Sequence, residues 1–296
     1  MHAAELKTKL HKIYLGTIPK FKPLLLLMCA DHGIAKYGVS AFKQEVTLKM
    51  MESYQEGSAA ANVLARHAGA DVWVADVGTA FNTKRLQVFD YKARRGTKNF
   101  MVGPAMDEES YFRALTAGRW LVKDALQRGY NIFVLGEMAI GNTTSSAALI
   151  SAVLGLPVEK TVGHGSGIDD VRMLLKQQVV ADGLKVNKVA AGDGVSALMK
   201  LGGFEHVAMA GAMLEAAEQR KPVILDGINA TAAALCAQSM NSDLHKFLIP
   251  SHLSAEPGHR QALKALHLEP VVDVGMRIGE GTGAEVVLPL LRMIRK

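Results

Sequence analysis

Short apolar runs alternate with helix-like segments along this chain, and this alternation restricts the possible folds more than any other feature of the sequence. Four runs that end at Gly, Asp or small polar residues predict buried strands at residues 23–30, 71–77, 131–135 and 222–225. Segments rich in Ala, Leu and Met, with helical spacing, predict helices at residues 45–68, 108–128, 143–154 and 231–239. Strands that alternate with helices pair in parallel through crossover connections. We therefore expect an α/β fold with a doubly wound, mostly parallel, Rossmann-like sheet.

The composition fits one compact unit. Of the 296 residues, 49% are hydrophobic and 21% are charged, which allows a sizeable core and excludes a disordered or collagen-like chain. No Pro-, Gly- or Ser-rich linker and no internal repeat interrupts the sequence. We expect residues 1–296 to form a single unit, with an α/β core at about 23–250 and a smaller helical part from residues 1–22 and 251–296.

The chain also lacks the sequence features of a membrane or secreted protein. Its longest apolar run, residues 23–30, is too short to span a bilayer, and its polar N-terminus has no signal-peptide core. The two cysteines, Cys29 and Cys236, lie in apolar surroundings and do not suggest a disulfide framework. These features predict a soluble protein of the reducing cytoplasm that does not bind membranes.

The net charge of +6 raises the question of an anionic partner. The basic residues are scattered, their densest cluster at residues 92–98 is short, and no nucleic-acid-binding motif accompanies it. This cluster is either a solvated basic loop or a site for a small phosphorylated ligand. We favour a small anion over a polynucleotide and expect no nucleic-acid partner.

Ligands of doubly wound sheets bind at the loops that follow the strands. The loop at residues 135–144 places Glu137 four residues before Gly141. Asn142 or Thr143 would cap the next helix, and exposed amides at a helix start bind phosphate with the help of the helix dipole. This loop is therefore either an anion site or an ordinary capped helix.

Three further loops carry polar residues with less specific patterns. Asp31 and His32 follow the first predicted strand and are either structural or catalytic. The glycine-rich turn around Gly165, which Lys176 follows, is either a second anion site or a plain flexible turn. Asp226 follows the last predicted strand and leads into a helix of small residues.

A loop near the C-terminus contains Glu280 between Gly279 and Gly281. A glutamate flanked by glycines has few neighbouring side chains to solvate it or to pair with it. Burial against a substrate would raise its pKa toward values useful for a general base, whereas on an exposed loop it would be an ordinary carboxylate.

Several chemistries have little support in the sequence. Histidines and cysteines do not occur together at metal-ligand spacings. The Gly-x-Ser-x-Gly turn of serine hydrolases and the Gly-x-Gly-x-x-Gly fingerprint of dinucleotide-binding enzymes are both missing. We expect no metal and no cofactor.

A series of short motifs runs in one order from about residue 23 to the C-terminal end. It includes Ala-Asp-His-Gly at 30–33, Gly-Val-Ser at 38–40, Leu-Gly-Glu-Met at 135–138, Gly-Gly-Phe-Glu at 202–205 and Arg-Ile-Gly-Glu-Gly-Thr-Gly at 277–283. Together these motifs resemble the nicotinate-nucleotide:dimethylbenzimidazole phosphoribosyltransferase family, which activates the lower ligand of cobamides. No single motif is decisive, but this many in one order is specific.

The resemblance implies that nicotinate mononucleotide donates its phosphoribosyl group to a nitrogen of dimethylbenzimidazole, which gives an α-riboside phosphate and nicotinate. It implies that Glu280 is the general base and that Glu137 orients the incoming base or the ribose. The residues that would hold the phosphate or the nicotinate carboxylate are Gly141, Asn142, Thr143, Gly165 and Lys176. The positions that would line the pocket of the aromatic base, or otherwise contact substrate, are Ser40, Phe42, Met50 and Asp226.

The chain departs from the family pattern at positions that concern the acceptor. The segment before residue 23 lacks the usual Thr-Lys-Pro-x-Gly-Ser-Leu-Gly motif, Lys43 replaces a common proline, and Ala139 replaces a usual glycine. Asn229 breaks the usual Phe-Ile/Leu-Ser/Ala pattern after Asp-Gly. The acceptor is therefore either a benzimidazole-type base or, as in two-chain relatives, a phenol. We expect a homodimer or a heterodimer with a paralogous chain, and a non-catalytic nucleotide-binding subunit is the third possibility.

Overall fold

The computed structural model describes residues 1–276 and 278–295. Arg277, the first residue of the last family-like motif, lies outside the described residues. The helices in the described chain are α1 (Ala3–Ile13), α2 (Val46–Glu56), α3 (Ala60–Ala68), α4 (Glu108–Gln127), α5 (Asn142–Leu154), α6 (Asp170–Asn187), α7 (Gly194–Leu201), α8 (Phe204–Glu218), α9 (Ile228–Ala237), α10 (Pro257–Ala265) and α11 (Thr282–Arg295).

The strands form one sheet at the centre of the molecule. Within the described residues they are β1 (Pro23–Ala30), β2 (Asp71–Gly78), β3 (Phe89–Asp90), β4 (Ile132–Met138), β5 (Val223–Leu225) and β6 (Leu248–Pro250). Their order is β3-β2-β1-β4-β5-β6, and neighbouring strands are parallel. The winding reverses between β1 and β4, and at such a point doubly wound sheets bind ligands in the crevice outside the carboxyl ends of the strands. The predicted α/β fold with a doubly wound parallel sheet is confirmed.

Strand β1 shows why this sheet needs helices on both faces. All of its residues are buried, and successive side chains point to opposite faces. Leu24 and Leu26 pack into a large apolar cluster with residues of α4, α8 and α9. Leu25 and Leu27 pack on the other face with residues of α1, α3 and α11. Each buried leucine contributes about 1.5–3 kcal/mol to the free energy of unfolding, so the two helical layers hold the sheet rigidly beneath the crevice.

The element boundaries differ from the sequence expectation in three respects. Residues 45–68 form two helices instead of one, because Gly57 ends α2 in the left-handed conformation with a φ of 75°. Strand β4 extends to Met138, so Glu137 is a strand residue rather than a loop residue. Strands β3 and β6 contain two and three residues, which is too short to stand out as an apolar run.

The helices at the two chain ends pack on both faces of the sheet. Helix α11 contacts α1, α3 and β4, whereas α10 contacts α9 and α5. The division into an α/β core and a smaller helical part stays a prediction.

Two further observations concern membrane-spanning helices and the two cysteines. Among the described helices, none combines the length and the apolar character needed to cross a bilayer. Cys29 and Cys236 are both buried as free cysteines. The cytoplasmic location stays a prediction.

Candidate active site

The carboxyl-terminal edge of the sheet gathers acidic side chains. They are Asp31 after β1, Asp76 in β2, Glu137 in β4, Asp226 after β5 and Glu280 before α11. The Cys29 thiol lies among them: burial raises its pKa, and the charges of Asp76, Glu137, Asp31 and Glu280 raise it further. Five carboxyl groups therefore lie together at this edge of the sheet, four of them around the Cys29 thiol.

Glu137 is held between two amide side chains. Its Oε1 accepts a hydrogen bond from Nδ2 of Asn229 at 2.9 Å, and its Oε2 accepts one from Nδ2 of Asn142. Burial raises the pKa of Glu137 to about 8, against the effect of the Asn229 hydrogen bond, and the charges of nearby carboxylates add to the increase. Glu137 therefore changes charge near physiological pH.

Glu280 is presented by a strained turn at the end of β4. Gly279, Glu280 and Gly281 have φ values of 80°, 62° and 81°, a region that costs a residue with a side chain about 1–2 kcal/mol. A Cβ at Gly136 would lie 2.8 Å from the Glu280 carbonyl oxygen, and one at Gly279 would lie 3.4 Å from Oε1 of Glu137. The two glutamates are therefore neighbours, and the turn packs closely on the strand.

The carboxylate of Glu280 is poorly solvated. It is half-buried, and its Oε2 has no hydrogen-bond partner among the residues that the structure describes. Burial raises the pKa of Glu280, the Tyr54 hydroxyl nearby acts in the opposite direction, and the charge of Asp226 adds to the effect of burial. Such a carboxylate can accept a proton from a bound substrate.

Asp226 supports the turn from beneath. Its Oδ2 accepts a hydrogen bond from the backbone N–H of Gly281 at 3.1 Å, and its Oδ1 accepts from those of Gly283 at 2.8 Å and Ala284 at 3.2 Å. These amides lie at the start of α11, where a carboxylate satisfies groups that the helix leaves unpaired. The structure thus gives Asp226 a supporting role, and its contact with substrate stays a prediction.

The start of α5 supplies the opposite electrostatic character. Gly141 precedes the helix with a φ of 98°. The Thr143 hydroxyl accepts a hydrogen bond from Nζ of Lys176 at 2.9 Å. Gly165 packs against this pair, since a Cβ there would lie 2.6 Å from Oγ1 of Thr143 and 3.0 Å from Nζ of Lys176. The structure brings together the residues that the sequence singled out for an anion site.

The geometry of this cluster suits a phosphate or a carboxylate. Lys176 is fully buried, and burial lowers its pKa to about 8. Because the lysine donates to the Thr143 oxygen, the hydroxyl proton of Thr143 can point toward a ligand. The positive end of the α5 dipole acts in the same direction. Glu256 holds the glycine-rich turn in place by accepting from the backbone N–H of Gly165 at 2.8 Å.

Of the residues expected to contact the aromatic base, Ser40 and Phe42 lie on the segment that leads into α2, here called the acceptor segment, and Met50 lies in α2 itself. The Ser40 hydroxyl oxygen is 3.1 Å from that of Ser166, which links this segment to the glycine-rich turn. Phe42 is 53% exposed, and Met50 is half-buried against the apolar cluster on the α11 side of the sheet. Their contact with the base stays a prediction.

The sequence reasoning missed a buried cluster formed by His32, Glu205 and His206. Oε1 of Glu205 lies 2.6 Å from Nε2 of His32 and 2.9 Å from Nδ1 of His206. Although burial opposes ionisation, the two histidines hold the pKa of Glu205 well below its usual range. Their spread along the sequence hid the cluster, and the family-like motifs at 30–33 and 202–205 were the only signal.

The same three side chains form a possible set of metal ligands. Ligand atoms about 2.0–2.2 Å from a tetrahedral zinc ion lie about 3.3 Å from one another. The separations of 2.6 and 2.9 Å are shorter than that, and the contact of 2.6 Å between His32 and Glu205 is a direct hydrogen bond. The geometry therefore describes three polar side chains in direct contact.

The basic cluster at residues 92–98 is separate from the anion site. Nζ of Lys92 lies 2.9 Å from Oδ2 of Asp76, and Arg94 pairs with Asp107 at 3.0 Å. A groove of about 620 Å³ opens between Lys92 and α4, and its lining contains none of the five crevice carboxylates. Lys92 is therefore bound to a buried aspartate, whereas Arg94 pairs at the surface, and a role of the cluster in binding a small anion stays a prediction.

Known proteins of similar sequence and structure share one description. A family model described as phosphoribosyltransferase (DBI_PRT) matches residues 4–295. The chain is 42% identical over 283 residues to the nicotinate-nucleotide–dimethylbenzimidazole phosphoribosyltransferase of Desulforamulus reducens, covering 95% of this chain and 80% of that one. The protein of the same name from Chromobacterium violaceum is 43% identical over 275 residues, covering 93% and 80%. The crystal structure of CobT from Thermus thermophilus superimposes with a TM-score of 0.95 at 39% identity, covering 99% and 89%.

Proposed function

The chain belongs to the phosphoribosyltransferase family, and we propose that it moves the 5-phosphoribosyl group from nicotinate mononucleotide to dimethylbenzimidazole or a related aromatic base. The names of its relatives supply these substrates. The observation that carries the proposal to this chain is the half-buried, poorly solvated carboxylate of Glu280 beside Glu137, next to the positive start of α5.

The two electrostatic poles of the crevice suit this donor. Nicotinate mononucleotide carries a positive pyridinium ring at C1′ and a negative phosphate at the other end of the ribose. The carboxylates near Glu137 stabilise positive charge on the ring and, as the glycosidic bond breaks, on C1′. Thr143, with Lys176 behind it, is suited to the phosphate. Adjacent residues at the start of α5 contact both charged groups, since Asn142 donates a hydrogen bond to Glu137 and the Thr143 hydroxyl accepts one from Lys176.

The chemistry then needs one base. The Glu280 carboxylate takes the N–H proton of the azole, or the O–H proton of a phenol, as the acceptor atom forms its bond to C1′. The bond between C1′ and the pyridinium nitrogen breaks, and its electron pair neutralises that nitrogen, so nicotinate leaves without needing an acid. Attack from the face opposite the leaving group inverts C1′ and gives the α-riboside phosphate.

The alternative is that the chain is one subunit of a two-chain enzyme that activates phenols, or a non-catalytic partner within it. Apolar side chains near the acceptor segment are exposed: Phe42 at 53%, Tyr37 at 44% and Leu175 at 43%. Leu175 lies close to Gly38, where a Cβ would be 3.9 Å away. This patch supports a partner chain, either a second copy or a paralogue, on the acceptor side.

Product analysis tests the proposal. Purified protein is incubated with nicotinate mononucleotide and a mixture of dimethylbenzimidazole, adenine, phenol and p-cresol, and the products are identified by mass spectrometry. The α-riboside phosphate of dimethylbenzimidazole is expected. A phenolic riboside phosphate selects the alternative acceptor, and no product in the presence or absence of a paralogous chain contradicts an enzymatic role.

A matched pair of variants tests the base. Glu280→Gln keeps the size of the side chain and removes its proton acceptor, so kcat falls by about 100-fold or more. Glu285→Gln changes another buried glutamate of the same C-terminal region and leaves kcat near that of the parent. Turnover by Glu280→Gln at the parent rate would show that the assignment is wrong.

A further inference from the structure

Asn229, near the start of α9, connects Glu137 to a buried chain of polar side chains. Its Nδ2 donates to Oε1 of Glu137 at 2.9 Å, and its Oδ1 accepts from the Ser146 hydroxyl at 2.7 Å. The Ser146 oxygen lies 2.8 Å from Nε2 of His206, which in turn contacts Glu205. All five side chains are less than one-tenth exposed. A continuous path of hydrogen bonds therefore runs from the Gly203 N–H through His206, Ser146 and Asn229 to the Glu137 carboxylate.

The donors along this path all point toward Glu137. Ser146 has a single proton and donates it to Asn229, so the Ser146 oxygen must accept from the Nε2–H of His206. Nδ1 of His206 accepts a hydrogen bond from the backbone N–H of Gly203 at 3.1 Å, which places the ring proton on Nε2. The Asn229 carbonyl is thereby turned toward Ser146, and its NH₂ group is turned toward Glu137.

We propose that His206 and Ser146 are positioning residues that act through Asn229 to orient Glu137 in the active site and to favour its ionised form. Asn229 is the residue at which the chain departs from the expected Phe-Ile/Leu-Ser/Ala pattern after Asp-Gly. The expected effect of the relay on turnover rests on the proposed function, whereas its expected effect on the pKa of Glu137 does not.

The orientation of the Asn229 amide matters because its two ends have opposite effects. The NH₂ group stabilises a carboxylate, whereas the carbonyl oxygen repels it and accepts a hydrogen bond from a protonated carboxyl. Burial and neighbouring charges favour the protonated form of Glu137. The other titratable groups that face Glu137 are Glu205, Asp226, Glu280, Cys29 and Tyr54. A relay that keeps the NH₂ group directed at Glu137 therefore counteracts the rise in its pKa that burial and these negative charges cause.

The first test compares two serine-to-alanine changes in the same helix. Ser146→Ala breaks the relay, whereas Ser151→Ala removes an equally buried hydroxyl that lies 2.6 Å from the Thr161 hydroxyl and takes no part in the relay. The carboxyl of Glu137 is titrated by NMR in protein with ¹³C-labelled glutamate, and its signal is identified by its loss in Glu137→Gln. Ser146→Ala should raise the midpoint by about 0.5–1 pH unit, and Ser151→Ala should leave it unchanged.

Turnover gives an independent readout. In Ser146→Ala, kcat/KM should fall about three- to tenfold on the acid side of the Glu137 midpoint and should return to the parent value well above it. A purely structural defect would lower kcat/KM by the same factor at every pH and would contradict the proposal.

A pair of His206 variants separates the hydrogen bond from the packing of the ring. His206→Gln retains an N–H that can reach Ser146 and should keep the parent midpoint of Glu137, whereas His206→Leu should reproduce the effect of Ser146→Ala. An unchanged Glu137 midpoint in both Ser146→Ala and His206→Leu would overturn the relay. Failure of the parent to form any riboside phosphate would instead overturn the proposed function, and the NMR titration would still decide on the relay.

Discussion

Two substitutions of Glu280, by glycine and by alanine, test whether the backbone of this residue is held in a strained conformation. The residue has a φ of 62° between two glycines in the same left-handed region. Glycine adopts this conformation freely, whereas alanine keeps the Cβ that makes it unfavourable. Glu280→Gly and Glu280→Ala both remove the half-buried carboxylate, so the electrostatic effect of that loss cancels when the two variants are compared.

The size of the difference follows from two opposing contributions. Relief of left-handed strain favours the glycine variant by about 1–2 kcal/mol, and the greater freedom of glycine in the unfolded chain takes back about 0.4–1 kcal/mol. We therefore expect Glu280→Gly to be more stable than Glu280→Ala by about 0.5–1 kcal/mol, measured as the free energy of unfolding in urea at neutral pH. Both variants should lose turnover.

The comparison has a clear negative outcome. If Glu280→Ala is as stable as Glu280→Gly or more so, the turn is not strained in solution, and the argument that the fold holds this side chain in an unfavourable conformation is wrong. Glu269→Ala against Glu269→Gly, at an exposed glutamate that lacks a positive φ, provides the control and should favour alanine.

Three other perturbations follow from the same geometry. Lys176→Met should raise the KM for nicotinate mononucleotide by about tenfold or more with a smaller change in kcat. The KM of the parent protein should itself rise as the pH passes about 8, because burial lowers the pKa of Lys176 to that value and the lysine loses its charge there. Burial raises the pKa of Glu285 to about 8, so the folded state holds this proton more tightly than the unfolded chain, and the resulting stability is lost as the pH rises from about 4.3 to that value. Glu285→Gln should therefore flatten the decline of Tm over this interval, and an identical decline in both proteins would contradict the shift. Gly136→Ala should lower the free energy of unfolding by about 1–3 kcal/mol and reduce kcat, because the added Cβ would lie 2.8 Å from the Glu280 carbonyl oxygen; unchanged kinetics would show that the turn does not depend on this contact.

The sequence predicted those parts of the fold that follow from local pattern. β1 was predicted with its observed bounds, because a run of eight buried residues in a central strand has no other stable environment. The break at Gly57 was missed, since the helical spacing continues across it, and only the left-handed φ shows that the chain turns there. Strand β6 has three residues and is defined by pairing with β5 rather than by composition.

The candidate site was predictable where one loop carried the chemistry. Glu280 stood out because two glycines flank it, and Thr143 because it lies at a helix start after a strand. Lys176 joined Thr143 as expected, although its complete burial depends on the packing of α6 against α5. The link from His206 through Ser146 to Asn229 joins three helices, α8, α5 and α9, and no local pattern encodes contacts of that range.

The contrast between helix α5 and the acceptor segment bears on how enzymes of this kind diverge. From Thr144 to Val153 the helix is buried throughout, so most mutations there would cost stability and are removed by selection. Phe42 lies on the surface, where substitutions cost little. Under the proposed roles of these residues, point mutation can therefore change the acceptor while the residues that bind the donor are inherited intact. A lineage built on this scaffold is expected to keep one donor and to explore many acceptors.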